Sequence, residues 1–201
     1  MKKVFILLFF AVITAAFGQE RYTINAFGFS VQPPADWFVT ELGGARENLD
    51  KFDLSEEQRA SILKDYATVS GFAAFYKYDP KKYAGIIPTV NVVVKPLKNA
   101  TYEGFKKLLE SAEAQYSKVL ENYKTGSIKP LTFPGGKAWE MQSTYDFKNP
   151  AGEKVFLKSR ATFFYCDTYY INLNYIEEVG KEDNTAVYDA MLKTVVITPK
   201  K

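Results

Sequence analysis

Trp139-Glu140-Met141-Gln142-Ser143-Thr144-Tyr145-Asp146-Phe147 alternates between two kinds of side chain. Trp139, Met141, Ser143, Tyr145 and Phe147 stand on one side, with Glu140, Gln142, Thr144 and Asp146 on the other. Successive side chains of a strand point to opposite faces, so this segment reads as a β-strand with one buried and one wet face, the habit of an antiparallel sheet. Asn149-Pro150-Ala151-Gly152 is a hairpin loop into a second strand, Lys154–Cys166. Asp167-Thr168 turns the chain into a third, Tyr169–Ile176, where Tyr169, Ile171, Leu173 and Tyr175 share a face. Three consecutive antiparallel strands make a meander, and the meander decides the fold class.

Downstream, Thr185–Val195 reads as a helix with Val187, Met191, Leu192 and Val195 inward and Asp183 or Asn184 as N-cap. Val195-Val196-Ile197 adds a short extended end. Upstream, Pro134-Gly135-Gly136 is a turn closing a short strand, Ile128–Phe133. Before it lies the strongest helical period of the chain. Tyr102, Phe105, Leu109, Ala112, Tyr116, Val119 and Tyr123 recur at alternating steps of three and four, which predicts an amphipathic helix over 102–123 lying on the sheet. Aromatics at several seam positions and the short run argue against a coiled coil. Thr101 or Asn99 is placed to cap this helix. Asn99-Ala100-Thr101 also fits a glycosylation acceptor, a pattern that matters only in a eukaryotic secretory route.

Further toward the N-terminus, Pro88–Pro96 and Gly71–Tyr78 have strand composition, bounded by prolines and by Asp79-Pro80. Ser55-Glu56-Glu57-Gln58 has the capping-box form and opens a short helix over 56–67. Glu41–Lys51, polar and holding Gly43-Gly44, reads as a loop, a flap beside any site. Arg21–Val31 is two short strands or one bulged strand around Gly28, ended by Pro33-Pro34. The whole is α+β: an antiparallel sheet covered by helices, an α/β/α-type sandwich.

Residues 1–18 stand apart. Lys2-Lys3, the apolar run Val4–Ile13 and the small residues Ala16 and Gly18 describe a secretory signal peptide cleaved before Gln19. Its apolar run is far short of the roughly 20 residues that span a bilayer. The expected product is one domain over 19–201, periplasmic or secreted, with no transmembrane segment in the mature chain. The short Lys-Lys leader points to a bacterium.

Composition excludes much chemistry. There is no histidine, which removes Ser-His-Asp and Cys-His nucleophile systems and the usual zinc sites. Cys166 is the only cysteine, so no internal disulfide forms; its strand setting reads as a small buried hydrophobe. Without Lys2 and Lys3, 24 basic residues face 23 acidic ones, a near balance that offers no attraction to nucleic acid. Glu140 and Asp146 share a strand face but lie about 20 Å apart at strand rise, too far for a glycosidase pair. Asp50 and Asp53 lack calcium-loop spacing, and Gly43-Gly44 lacks the following Lys-Ser/Thr of a phosphate loop. No catalytic residue, cofactor site or metal site emerges. What does is an aromatic set, Trp37, Tyr76, Tyr78, Tyr83, Tyr169 and Tyr170, as a candidate binding surface.

Phe27-Gly28-Phe29-Ser30-Val31-Gln32-Pro33-Pro34-Ala35-Asp36-Trp37, a strand running into Pro-x-x-Trp, resembles the PsbP-like fold family. That family is named for an extrinsic photosystem II subunit and includes a Ran-binding nuclear import factor and small exported bacterial proteins. The terminal helix around Tyr188-Asp189-Ala190-Met191-Leu192-Lys193-Thr194-Val195 is similar too. The resemblance implies the fold and a non-enzymatic role, with no catalytic residues to carry over. The expectation is therefore a non-catalytic protein-binding or assembly module of the bacterial envelope, with an envelope protein as partner. The alternative is a carrier or sensor of an apolar or aromatic small ligand.

Overall fold

Alternation in the second half of the chain is realised as four long strands in sequence. In the computed structural model, which describes residues 20–40, 55–56, 60, 69–98, 100–149 and 152–198, these are β6 (Glu121–Phe133), β7 (Gly136–Lys148), β8 (Lys154–Cys166) and β9 (Tyr169–Glu178). They follow β1 (Tyr22–Ile24), a 3-10 turn (Asn25–Phe27), β2 (Phe29–Val31), β3 (Phe38–Thr40), β4 (Gly71–Tyr76), β5 (Thr89–Pro96) and α1 (Tyr102–Tyr116). The chain closes with α2 (Thr185–Leu192) and β10 (Val196–Ile197). The expected leader over 1–18, the loop 41–51 and Asn99 lie outside the described residues. Of the expected helix over 56–67 only Glu56 and Ala60 are described, and both are helical.

Seven strands pair antiparallel in the order β3-β4-β5-β9-β8-β7-β6, and β1-β2-β10 form a second, three-stranded sheet. The fold is α+β. Residues directly opposite each other in neighbouring strands share a face, so the register assigns each side chain of the large sheet to one of two faces. On one face, Val90, Val92, Phe75, Leu173, Ile171 and Phe164 pack with Tyr188 and Met191 of α2 and with Phe29, Val31 and Ile197 of the small sheet. On the other, Trp139, Met141, Ala161 and Phe163 pack with Phe105 and Leu109 of α1. These are called below the α2 face and the α1 face.

The α1 attachment is specific at its N-terminal end. Thr101 caps the helix, accepting from the Gly104 amide at 3.1 Å. Tyr102 stacks on Trp139 at 4.7 Å and donates to the Ala138 carbonyl, while Trp139 Nε1 donates back to the Tyr102 carbonyl. Tyr165 donates to the Ala100 carbonyl at 2.9 Å.

Three expectations are revised. The helix over 102–123 ends at Tyr116, because β6 begins at Glu121 and pairs along β7. Thr125 and Gly126 are poor helix formers, and Asn122 enters the strand at φ +52, a conformation asparagine tolerates. Tyr123 is thereby turned into a sheet contact with Tyr145 at 6.0 Å. The terminal helix stops at Leu192 rather than Val195, since Val196 and Ile197 pair with Ser30 and Phe29. Its most buried aromatic, Tyr188, is absent from the expected inward set; its hydroxyl donates to the Leu173 carbonyl and meets Thr162 Oγ1 at 2.8 Å. Asn184, though the N-cap, makes no capping side-chain bond; Asp183 Oδ1 accepts from the Thr185 amide instead.

Candidate functional site

Most α1-face positions are apolar, which makes one exception informative. In β7 the inward series Trp139, Met141, Tyr145 is interrupted by Ser143. The register places Ser143 opposite Thr125 of β6 on one side and Ser159 of β8 on the other. Ser159 Oγ donates diagonally to Asn174 Oδ1 of β9 at 2.6 Å. Asn174 lies opposite Asn91 of β5, Asn91 opposite Ala74 of β4, and Ala74 opposite Thr40 of β3. The result is a continuous row of small or neutral polar side chains crossing all seven strands: Thr40, Ala74, Asn91, Asn174, Ser159, Ser143 and Thr125. Strand spacing makes it about 29 Å long.

Three apolar clusters border this row. One is the α1 cluster of Trp139, Met141, Phe163, Phe105 and Leu109. A second holds Tyr123, Tyr145, Val155, Leu157 and Ile86. The third holds Phe72, Ala74 and Tyr76 on β4. Asn172, two residues from Asn174 and opposite both Val93 and Phe163, adds a further carboxamide beside the row.

Hydrogen bonding within the row is incomplete. Thr40 Oγ1, Thr125 Oγ1 and Asn172 Oδ1 are shielded from water and accept or donate no hydrogen bond among the described residues. Such groups cost about 1–3 kcal/mol each when left unpaired, so they are found where something pairs them or where a function holds them. Asn91, Asn172 and Asn174 are only half-buried although they sit on central strands. Their strand neighbours Val90, Val92, Leu173 and Tyr175 are fully buried on the α2 face, so on these strands the α1 face is the one that solvent reaches.

Electrostatically the row is neutral. Along β5 and β9 the next charged side chains on this face are Lys95 and Glu178, each four residues from an asparagine of the row, about 13 Å at strand rise. The α2 face is the opposite. There Arg160 bridges Glu140 and Asp189 at 2.7 and 2.6 Å, and Lys158 reaches the fully buried Glu177 at 2.7 Å. Glu177 Oε2 accepts from both the backbone and side-chain amides of Asn184. Glu182 takes Lys77 and the Tyr78 hydroxyl, and the Lys77 hydrogen bond first, then Tyr78, holds its carboxyl below the usual range. These ion pairs tie α2 and the loop before it to the sheet. Cys166 is buried, and burial pushes its thiol up to about 11. Among the described residues no cluster of side chains is suited to hold a metal ion.

The six aromatic residues singled out from sequence fall at separate places. Trp37 is in the α2-face core, and Tyr169 lies at its rim, packed on Phe27 at 5.0 Å and donating to the Phe27 carbonyl. Tyr76 is buried on the α1 face, and Tyr170 packs there against Phe105 and Phe163. Tyr78 and Tyr83 alone of the six are in mutual ring contact, stacked at 4.6 Å beyond the end of β4. The row that the register assembles was missed from sequence. Its local signals are a polar residue inside an apolar segment, as at Val90-Asn91-Val92, and Ser143 standing on the otherwise apolar side of the Trp139–Phe147 alternation.

Fold and site together define an α+β domain with a row of small and neutral polar side chains across one face of its large sheet. Among solved structures the chain is similar to cyanobacterial PsbP (CyanoP) from Synechocystis sp. PCC 6803, at 9% identity and TM-score 0.57 over 89% of this chain and 92% of that one. The fold is therefore PsbP-like, as the Pro/Trp element and the terminal helix imply. Two further similar structures are a Bacteroides thetaiotaomicron VPI-5482 protein (13% identity, TM-score 0.47, 86% of this chain and 46% of that one) and LpqN of Mycobacterium tuberculosis (15%, 0.47, 85% and 83%). LpqN is described as involved in cell envelope biogenesis. No family model matches the chain, and no curated protein does.

Proposed function

We propose that this chain is a non-catalytic binding module exported to the bacterial cell envelope, periplasmic or secreted, and that it acts as a carrier or sensor of a small ligand. The single observation behind this reading is the neutral polar row on the α1 face, bordered by apolar clusters and holding unpaired buried oxygens. In this reading the row's donors and acceptors orient a ligand while the apolar clusters beside it supply most of the binding energy. Export rests on the leader-like residues 1–18. In this reading α1 and α2 cover opposite faces as an α/β/α sandwich, with the polar row beside α1.

The second reading, an envelope protein partner, draws on the edge strand β3. Phe38 and Val39 there are 45% and 41% exposed, and an edge strand offers unpaired backbone groups to another chain. Native mass spectrometry of protein expressed with its own leader and recovered from the envelope fraction separates the two. An extra mass that disappears on denaturation supports the carrier. A bare mature mass, together with cross-links from the Phe38 or Tyr78–Tyr83 region to another protein, supports the partner reading and overturns the first.

A further inference from the structure

In the export reading, removal of residues 1–18 leaves a glutamine, Gln19, at the new N-terminus. A free α-amine titrates at about 7.7–8.0, well below a lysine at about 10.4, so near neutral pH a useful share of it is an unprotonated nucleophile. The γ-carbonyl carbon of the same glutamine is one five-membered ring closure away, and an intramolecular attack of that kind needs no encounter. Among the described residues the fold begins just beyond. Glu20 is exposed, and Arg21 is the first side chain that is anchored: its guanidinium donates to Ser30 Oγ at 2.9 Å, to the Ser30 carbonyl at 3.4 Å and to the Thr194 carbonyl. Ser30 belongs to β2, which pairs with both β1 and β10, and the Gln32 amide donates to Thr194 Oγ1 at 2.9 Å. Arg21 therefore clamps the start of β1 to the turn between α2 and β10. Chain termini are where proteolysis concentrates, and an aminopeptidase that took Gln19 and Glu20 would take this clamp next.

Resting on the export reading above, we propose that Gln19 is a modification site: in the mature protein it is closed to a pyroglutamyl residue, and the closed end guards the Arg21 clamp against aminopeptidases. The α-amine nitrogen attacks the γ-carbonyl carbon of its own side chain and forms a new amide bond. The bond from that carbon to the side-chain nitrogen breaks, and the nitrogen leaves as ammonia with the proton that the attacking amine gives up. Nothing is oxidised or reduced, and no co-reactant is consumed. The terminal positive charge is lost, and with it the free amine that an aminopeptidase needs.

The test is the intact mass of the protein recovered from the envelope fraction of its native cells, with the terminal peptide sequenced by tandem mass spectrometry. The expected result is a chain that starts at residue 19 and is lighter than residues 19–201 by one ammonia, the loss falling on Gln19. A chain that starts at residue 19 with its full mass overturns the modification and leaves export standing, as does a chain cut at a different place. A chain that keeps residues 1–18 overturns the export reading and the modification with it. Gln19→Ala gives a second readout. It is expected to be cut at the same place and to keep its amine, so that an added aminopeptidase shortens it through Arg21 while the wild type keeps its full length. Equal shortening of both proteins, or of neither, overturns the guarding role.

Discussion

Lys158→Met removes the cation from a carboxylate that has no access to solvent. Lys158 Nζ lies 2.7 Å from Glu177 Oε1; Glu177 is fully buried, whereas the Lys158 side chain is 35% exposed. Stripping one partner from a buried ion pair costs about 3–5 kcal/mol, because the remaining charge is left in a poor solvent. Two features reduce that here. Asn184 keeps two N–H groups on Glu177 Oε2 at 3.1 Å, and the lysine end of the pair is already partly hydrated. The expected cost is therefore about 2–3 kcal/mol. For a domain of this size that is a fall in thermal midpoint of about 4–12 °C. Glu177→Gln in the Lys158→Met background removes the stranded charge and should restore at least about 1 kcal/mol, a coupling that a double-mutant cycle isolates. Asp183, 3.5 Å from Lys158 and largely exposed, is the control; Asp183→Asn should change stability by less than half as much. Urea unfolding followed by tyrosine and tryptophan fluorescence measures the wild type, both single variants of the cycle, the double variant and the Asp183→Asn control. A Lys158→Met cost within about 0.5 kcal/mol of zero, or a cycle with no coupling, would refute the argument that Glu177 needs its lysine.

Acid should destabilise the protein through carboxylates that the fold holds below their ordinary range. Glu182 is depressed chiefly by its hydrogen bond from Lys77, Asp183 by the Thr185 hydroxyl and Asp146 by the Asn122 amide. A depressed carboxylate contributes stability above its unfolded pKa and loses it as pH falls through the folded value. The urea midpoint should therefore be level from pH 8 to 6 and decline below about pH 4–5, less steeply in Glu182→Gln; with no histidine in the chain, a step between pH 6 and 7 would contradict this. Gly28→Ala should be far more damaging than Gly152→Ala. Both glycines have positive φ, but a Cβ on Gly28 would sit 1.9 Å from the Thr198 carbonyl oxygen, whereas one on Gly152 meets open space. The substitution should lower the thermal midpoint well beyond the roughly 1–2 kcal/mol of the left-handed backbone alone, and equal costs at the two sites would sink the account. Cys166, buried and with its thiol pushed up to about 11, should resist a thiol reagent in the native protein at pH 8 and react when unfolded in urea. Rapid native labelling would show that the strand opens.

The meander was legible because strand alternation is a local property: each of Trp139, Met141, Tyr145, Ile171 and Leu173 reports its own face through its immediate neighbours. So was the capped start of α1 at Thr101, where one hydroxyl and one amide three residues on decide the matter. The end of α1 was not. Tyr116, Val119 and Tyr123 continue a helical stripe, yet the ladder to β7 claims residues from Glu121 onward, and a strand partner a whole hairpin away is invisible to periodicity. The aromatic set suffered from the same blindness. Trp37 and Tyr169 went to one face, Tyr76 and Tyr170 to the other, because parity within separate strands does not say which strand neighbours which.

By itself, then, the sequence determined the α+β class, the absence of histidine-dependent and disulfide chemistry, and the leader-like start, all of which depend on composition or on spacing within one segment. Only the tertiary structure decided that Asn91, Asn174, Ser159, Ser143 and Thr125 stand in one line, that Glu177 is buried against Lys158, and that Ile197 closes a sheet with Phe29. Each of those is a fact of register between strands distant in the chain. Register is set by the sum of all cross-strand contacts, and no single segment carries it.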